Sequence, residues 1–594
     1  YMKGIDGWPG GPERERALFD SAGAFFGDVV SFAHGVGVSV CVGTETPLVI
    51  PARVRERLAP RASPESIASA RASGLLPDTL LSERLYEGMF TWVAKHYSAD
   101  YYWLWTPEDW TWRENTPAEL AGTAADLRAA MRAAMRAARS VGAPFTLATC
   151  GWVLGPYGDR ALFDRMLPKS WPMSCINRYV GFEPIDDGFA RTTGRPLWAI
   201  PWLEDDPGLS IPQLWAGRMR RDAADAAAYG CTGLIGIHWR TRMLGPNVSA
   251  LASAAWEQPW NAALGRRATP AEAVERRKTM NLDGPVADFY RDWARASFGG
   301  DSADSIAAVI ARLDGGPLFV PNTRYGTWIP RPADWIDGPG GIRGDSLTWE
   351  KRSASYAFVG RLERLMKGIR APGSRARADY WLEAFRYLRA AGKFACTLGE
   401  ISRLADSAAH LEPEHRAGLW ESFVALRRRQ VGELCEVYLH LLETLSTKGE
   451  MGTIANWQQH IRDVALERPA LRIESLMGKK LPPDCWPDTA LLAVRKMLIP
   501  TVRTVIRRGE PFSLEARFYG QSPETVTLRW RTLGSESFDA AQFVPVARNV
   551  YTISLPPHLV SGDFEYFVEA HGRMSGDFLF PSTAPQSYQT VVVF

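Results

Sequence analysis

No apolar run in the chain approaches the roughly 20 residues that cross a bilayer, so a membrane-spanning helix is not expected. Net charge is also small, +3 over 594 residues. No global field would draw the protein to nucleic acid or to an anionic membrane. Cysteine is sparse: the seven, at positions 41, 150, 175, 231, 396, 435 and 485, form no CxxC pair and no zinc spacing. Scattered thiols read as small buried hydrophobes and leave the redox compartment open. The nine histidines make no HxH or HExxH cluster. There is no GxSxG elbow and no P-loop, and Gly35-Val36-Gly37 lacks the rest of a dinucleotide fingerprint. Neither a metal nor a cofactor is expected. Tyr1-Met2-Lys3 carries no signal-peptide pattern.

What the chain does have is tryptophan, 23 in all, with 14 in the first 260 residues. Core filling accounts for many of them. Several, however, stand beside carboxylates. Sugar rings stack on indole faces because their C–H bonds meet the negative π-face, while the indole N–H stays free to hydrogen-bond.

Over residues 1–260, short apolar runs alternate with helical patterns. The runs are 36–43, 101–106, 145–152, 173–180, 196–203 and 233–239. Near-continuous apolarity marks parallel strands buried on both faces. Thr116-Pro117-Ala118-Glu119 is a capping box with proline at the first helical position, and its helix sets Leu127, Met131 and Met135 on one stripe. The helix predicted over 212–229 precedes the strand at 233. Alternating strand and helix means an α/β fold. Six strands are visible where a closed (β/α)8 (TIM) barrel needs eight. The expectation is a barrel lacking its first two strands, with unpaired sheet edges. An open doubly wound sheet is the alternative. Residues 1–11 read as the end of an interrupted strand and loop, with Asp6 and Trp8 on the rim.

From 261 to 485 the pattern is all-α. It includes a second capping box at Thr269-Pro270-Ala271-Glu272 and amphipathic stretches at 350–368, 378–409 and 413–446. The segment 314–345, rich in Gly, Pro and Trp, is long enough to be functional or interfacial. From 486 to 594 the period becomes two, as in an all-β sandwich of the immunoglobulin or fibronectin kind. Its candidate sugar-facing aromatics are Trp530, Tyr551 and Tyr566.

Barrel enzymes place their chemistry at the C-terminal strand ends. Here those ends carry Glu45; Trp105, Glu108, Asp109, Trp110 and Trp112; Trp152; Asn177 and Arg178; Trp202, Glu204 and Asp205; and His238, Trp239 and Arg240. Glycoside hydrolysis needs two carboxyl groups in different environments. Glu108 sits among Trp103, Trp105, Trp110 and Trp112, and apolar walls would keep it protonated as the acid. Glu204, with Arg178, His238 or Arg240 within reach, would stay ionised as nucleophile or base. Glu45 is a hydroxyl or carboxylate partner. Asp109 is either the acid itself or a turn cap. Asp205 is the rival of Glu204. Asn177 and His238 are hydroxyl readers, His238 being as readily a backbone-bonded structural residue. Arg178 and Arg240 would grip a substrate carboxylate. Trp105, Trp110, Trp112, Trp152, Trp202 and Trp239 would form the sugar rim.

The strand ends WTPEDWTW and WLEDD, followed by a helical region and a sandwich, resemble large bacterial polysaccharide-degrading glycoside hydrolases of the α-glucuronidase-like and hexosaminidase-like groups. The resemblance implies a two-carboxylate hydrolase acting on a polysaccharide or glycan, secreted or periplasmic rather than cytoplasmic. Two departures matter. The order Glu108-Asp109 reverses the hexosaminidase Asp-Glu pair, so a substrate-assisted mechanism is not carried over. Pro107 stands where the large retaining clan has Asn before its acid. The alternatives are a non-catalytic carbohydrate-binding protein with a degenerate barrel, a polysaccharide lyase, and a metal-dependent hydrolase.

Overall fold

The structure is a computed structural model. It describes residues 11–594 apart from 51–76, 143–144, 206–210, 241, 262–268, 278–282, 318–326, 335–339, 488–494, 521 and 573–576. Asp6 and Trp8 therefore lie outside the described residues. The chain folds as two compact units. The first takes the residues up to Trp202 with Arg220–Ile237 and Ser253–Leu282; the second takes Leu203–Met219, His238–Ala252 and Asp283–Phe594. The helical and β-rich stretches thus share one unit.

The first unit is α/β. Its sheet holds six strands: β1 (Cys41–Glu45), β2 (Tyr101–Trp105), β3 (Thr146–Gly151), β4 (Met173–Ile176), β5 (Leu197–Ile200) and β6 (Gly233–Leu234). Every pairing is parallel and the spatial order is the chain order, β1-β2-β3-β4-β5-β6. A doubly wound sheet reverses its order at a switch point; this sheet has none. Among the described residues, β1 and β6 each pair on one side alone. β1 begins five residues later than its sequence run, because Val36 and Val38 follow the helix Pro12–Gly35 as an exposed turn.

One face of the sheet packs on helices. Tyr102, Leu104, Leu147, Met173, Cys175, Leu197 and Ala199 share a core with Tyr86 and Phe90 of the helix Pro77–His96 and with Leu127, Ala130, Ala133 and Ala137 of the helix Pro117–Val141. The expected stripe on that last helix is corrected. Leu127 is buried and Met131 partly so, but Met135 is 59% exposed. Alanines carry the buried face instead, where this helix packs closely along the helix Pro77–His96. The Thr116 capping box forms as expected, and Thr269 and Glu272 exchange their capping bonds.

The other face curls inward. β2 and β5 are three strand places apart, about 14 Å on a flat sheet. Yet Trp198 of β5 lies with its ring 5.1 Å from that of Tyr101 and 6.1 Å from that of Trp103, both of β2. Side chains stand roughly perpendicular to a sheet, so these contacts require the sheet to bend around that face.

In the second unit, helices Ala287–Phe298, Ala303–Ala311, Ala357–Met366, Pro372–Ala409, Trp420–Glu443 and Arg468–Met477 precede a β-rich region. That region has two sheets over one core, which includes Phe512, Leu514, Leu528, Phe564 and Val568. Trp530 and Tyr566 belong to this core and Tyr551 packs against it, so these aromatics offer no open sugar platform.

Candidate active site

Strand parity decides what faces the inside of the curl. With Tyr102 and Leu104 on the helices, Tyr101, Trp103 and Trp105 point inward, as do Glu45 at the end of β1 and Trp198 of β5. Trp105 packs edge-on against Trp152 with centroids 5.2 Å apart, and the Trp152 indole N–H donates to Glu45 Oε1 at 3.1 Å. The ends of β1, β2 and β3 thus meet in one aromatic and acidic cluster. The Trp103 indole N–H is buried and finds no acceptor among the described residues. An unmet buried donor costs about 1–3 kcal/mol.

The cluster is held by the turn after β3. Cys150 has φ 80° and Gly151 φ 76°. A side chain at Gly151 would place its Cβ 2.4 Å from the Trp105 ring, so only glycine lets that indole lie across the strand end. Thr106, fully buried, has its hydroxyl 2.8 Å from the Cys150 carbonyl and accepts the Val153 N–H at 2.9 Å. Ser174 Oγ accepts the Gly151 N–H at 3.0 Å. After β4 the backbone is again left-handed, at Tyr179 (φ 50°) and Val180 (φ 47°). A β-branched residue there is strained, and such strain gathers at functional sites. The Tyr179 ring meets the half-exposed Trp112 edge-on at 5.7 Å.

The acidic residues after β2 are exposed. Glu108 opens the 3-10 turn Glu108–Thr111. Of the tryptophans expected to wall it, Trp110 is buried and stacked parallel to Phe163, and Trp103 lies inside the curl. Asp109 pairs with Arg113 one helical turn on, and Arg113 also reaches Glu119 at 2.6 Å.

Other predicted residues are engaged within the fold. Asn177 is buried, follows the helix-facing parity, and donates to Asp222 at 3.1 Å. Trp202 is buried and donates to the Asn177 carbonyl at 2.8 Å. Arg178 pairs with Glu183 at 2.7 Å and lies 4.0 Å from Asp186. Burial pushes the Glu183 carboxyl up, with Arg178 opposing.

Within the second unit, Glu204 is fully buried. Its Oε1 accepts the N–H groups of Trp239 and Arg240, both at 2.8 Å, and its Oε2 takes Arg240 Nε at 2.6 Å. The expected Arg240 partnership is present, but as a closed clamp with no oxygen exposed. His238 is exposed and bonds the Arg240 carbonyl at 2.7 Å, its backbone-bonded reading. Trp239 stays 55% exposed. Asp205 is buried, exchanges main-chain bonds with the Gln213 amide, and pairs with Arg331 at 2.8 Å.

No protein-family description matches this sequence. No curated protein matches it either. Among solved structures, the chain is similar to a crystal structure of an engineered protein at 11% identity, with 97% of this chain and 81% of that chain aligned and a TM-score of 0.21.

Sequence reasoning overlooked Trp198 and Gly151 and gave Trp103 no inward role. Parity along the strands would have paired Trp103 with Trp105, since both alternate with helix-facing residues. Trp198 needed the curl of the sheet. Among the described residues, no group of three or more His, Cys, Asp or Glu side chains could hold a metal ion. No described helix is long and apolar enough to cross a membrane.

Proposed function

We propose that this chain is a glycoside hydrolase on a (β/α)8 barrel, its six described strands corresponding to the third to eighth, with sugar bound at their C-terminal ends. The observation that carries the reading is the inward cluster of Trp103, Trp105 and Trp152 with Glu45 hydrogen-bonded to Trp152. Indole faces supply stacking, and the buried Trp103 N–H awaits an acceptor such as a sugar hydroxyl. Glu108 protonates the leaving oxygen. The second carboxylate moves from Glu204 to Glu45, which is exposed at the neighbouring strand end. Glu204, closed off by Arg240 and two main-chain amides, positions the loop after β6. A polysaccharide substrate places the protein in a secreted or periplasmic setting.

Binding without turnover is the second reading. The exposure of Glu108 favours it, because a general acid is ordinarily set in an apolar pocket. The test is turnover on a panel of aryl glycosides and polysaccharides by the parent, Glu108→Gln, Glu45→Gln and Trp152→Ala. General acid catalysis contributes about 10²–10⁴-fold, so Glu108→Gln should lose that much kcat, more on poor leaving groups. Polysaccharide binding lost in Trp152→Ala with no turnover by the parent would select the second reading. Unchanged binding and turnover in Trp152→Ala would overturn both.

A further inference from the structure

The second unit holds a pocket of about 550 Å³ between segments 327–334 and 343–356. Its size lies within the usual range for small-molecule sites, about 300–1,000 Å³. Its wall is built with care. Gly399, inside the long helix Pro372–Ala409, lets the Asp345 backbone approach so closely that an added Cβ would stand 1.8 Å from the Asp345 oxygen. Gly392 does the same for Tyr356, whose hydroxyl oxygen lies 2.0 Å from such a Cβ. Asp345 N–H donates to the Ala395 carbonyl at 2.8 Å, and Arg403 bonds the Asp345 carbonyl at 2.8 Å. Interior helical glycine costs about 1 kcal/mol against alanine, and here it secures a rigid wall.

Three arginines line the pocket, and they differ in commitment. Arg331 is held by Asp205 at 2.8 Å and Arg352 by Asp345 at 2.7 Å. Arg343 keeps a side chain 54% exposed, with Asp334 at 3.4 Å, and Asp334 also lies 3.8 Å from Arg331. On the same lining, Trp328 is 58% exposed. A weakly committed guanidinium and an exposed indole on one lining, with the hydroxyls of Ser346 and Ser355, match a ligand having an anionic group, an apolar ring face and hydroxyls.

We infer that this pocket binds an acidic sugar unit, its carboxylate on Arg343 and its ring against Trp328. This site is separate from the strand-end cluster and rests on second-unit residues alone. The experiment is saturation-transfer NMR and titration on the full chain with D-glucuronate, D-glucose and inorganic phosphate. It compares the parent with Arg343→Gln, Arg343→Lys, Trp328→Ala and, for the other site, Trp152→Ala. Losing a hydrogen bond to a charged group weakens binding about tenfold or more. Glucuronate should bind the parent at least tenfold more tightly than glucose, lose about tenfold or more in Arg343→Gln, and recover partly in Arg343→Lys. Trp328→Ala should abolish the Arg343-dependent ring saturation, and that fraction of glucuronate binding should persist in Trp152→Ala, which lies in the other sugar site. Equal binding by Arg343→Gln, or by glucose, overturns the proposal. So does phosphate binding as tightly as glucuronate, which would mark a plain anion site. Glucuronate lost only in Trp152→Ala overturns the pocket and leaves the strand-end reading standing.

Discussion

Replacing Glu204 with Gln separates a structural clamp from a catalytic carboxylate. Glu204 is fully buried and accepts three hydrogen bonds, from the Trp239 and Arg240 amides and from Arg240 Nε. Gln has the same shape but one oxygen fewer. Its N–H₂ must face either the two amides or the guanidinium, and donor then meets donor. The buried Arg240 also loses its counter-charge. Breaking a buried pair from one side costs about 3–5 kcal/mol. At about 2–4 °C per kcal/mol for a domain of 150–250 residues, the melting temperature should fall by roughly 6–20 °C, nearer the lower figure for a unit larger than that. The assay is thermal and urea unfolding of the parent, Glu204→Gln, Arg240→Met and the double variant Glu204→Leu with Arg240→Met. The double variant should recover most of the loss, because neither charge is then stranded. If Glu204→Gln unfolds with the parent and yet abolishes turnover, Glu204 is a catalytic group and the clamp reasoning fails.

Three further outcomes are expected. Asp314 is buried, accepts the Ala216 and Gly217 amides and the Tyr290 hydroxyl, and has its carboxyl pushed up to about 7 by burial. An unfolded Asp titrates near 3.9, so the native state binds the extra proton between about pH 4 and 7 and stability falls across that window as pH rises. Urea midpoints should converge toward those of Asp314→Asn as pH climbs from 4 to 7.5; a constant gap would refute this. Gly151→Ala meets both a positive φ and the Trp105 ring. It should cost about 1–3 kcal/mol in urea unfolding and weaken polysaccharide retention, and retention equal to the parent would refute the placement of Trp105. Gly399→Ala should destabilise despite the better helix propensity of alanine, by denaturant midpoint, because the new methyl meets the Asp345 backbone; stabilisation by about 1 kcal/mol would show the wall to be loose.

Much of the first unit was legible because its signals are local. Apolar runs bounded by turns located β2 to β6, and Thr116 and Glu119 marked a helix start that both side chains then capped. The Gly-, Pro- and Trp-rich segment 314–345 stood out by composition, and part of it lines the pocket. The site was legible only in part. A residue just past a strand end can face either side, and one position of parity separates Trp105, turned inward, from Asn177, bound to Asp222.

The sequence by itself determined the alternation of strand and helix, the helix starts, and the switch to period two near the C-terminal end, because each depends on residues a few places apart. Tertiary structure alone decided that the strands pair in chain order and curl until Trp198 meets Tyr101. It alone decided that Glu204 turns into a clamp while Glu45 meets Trp152. These are contacts between residues 36 to 107 positions apart, and no local propensity carries them. They follow from which charges find partners when apolar surface is removed from water.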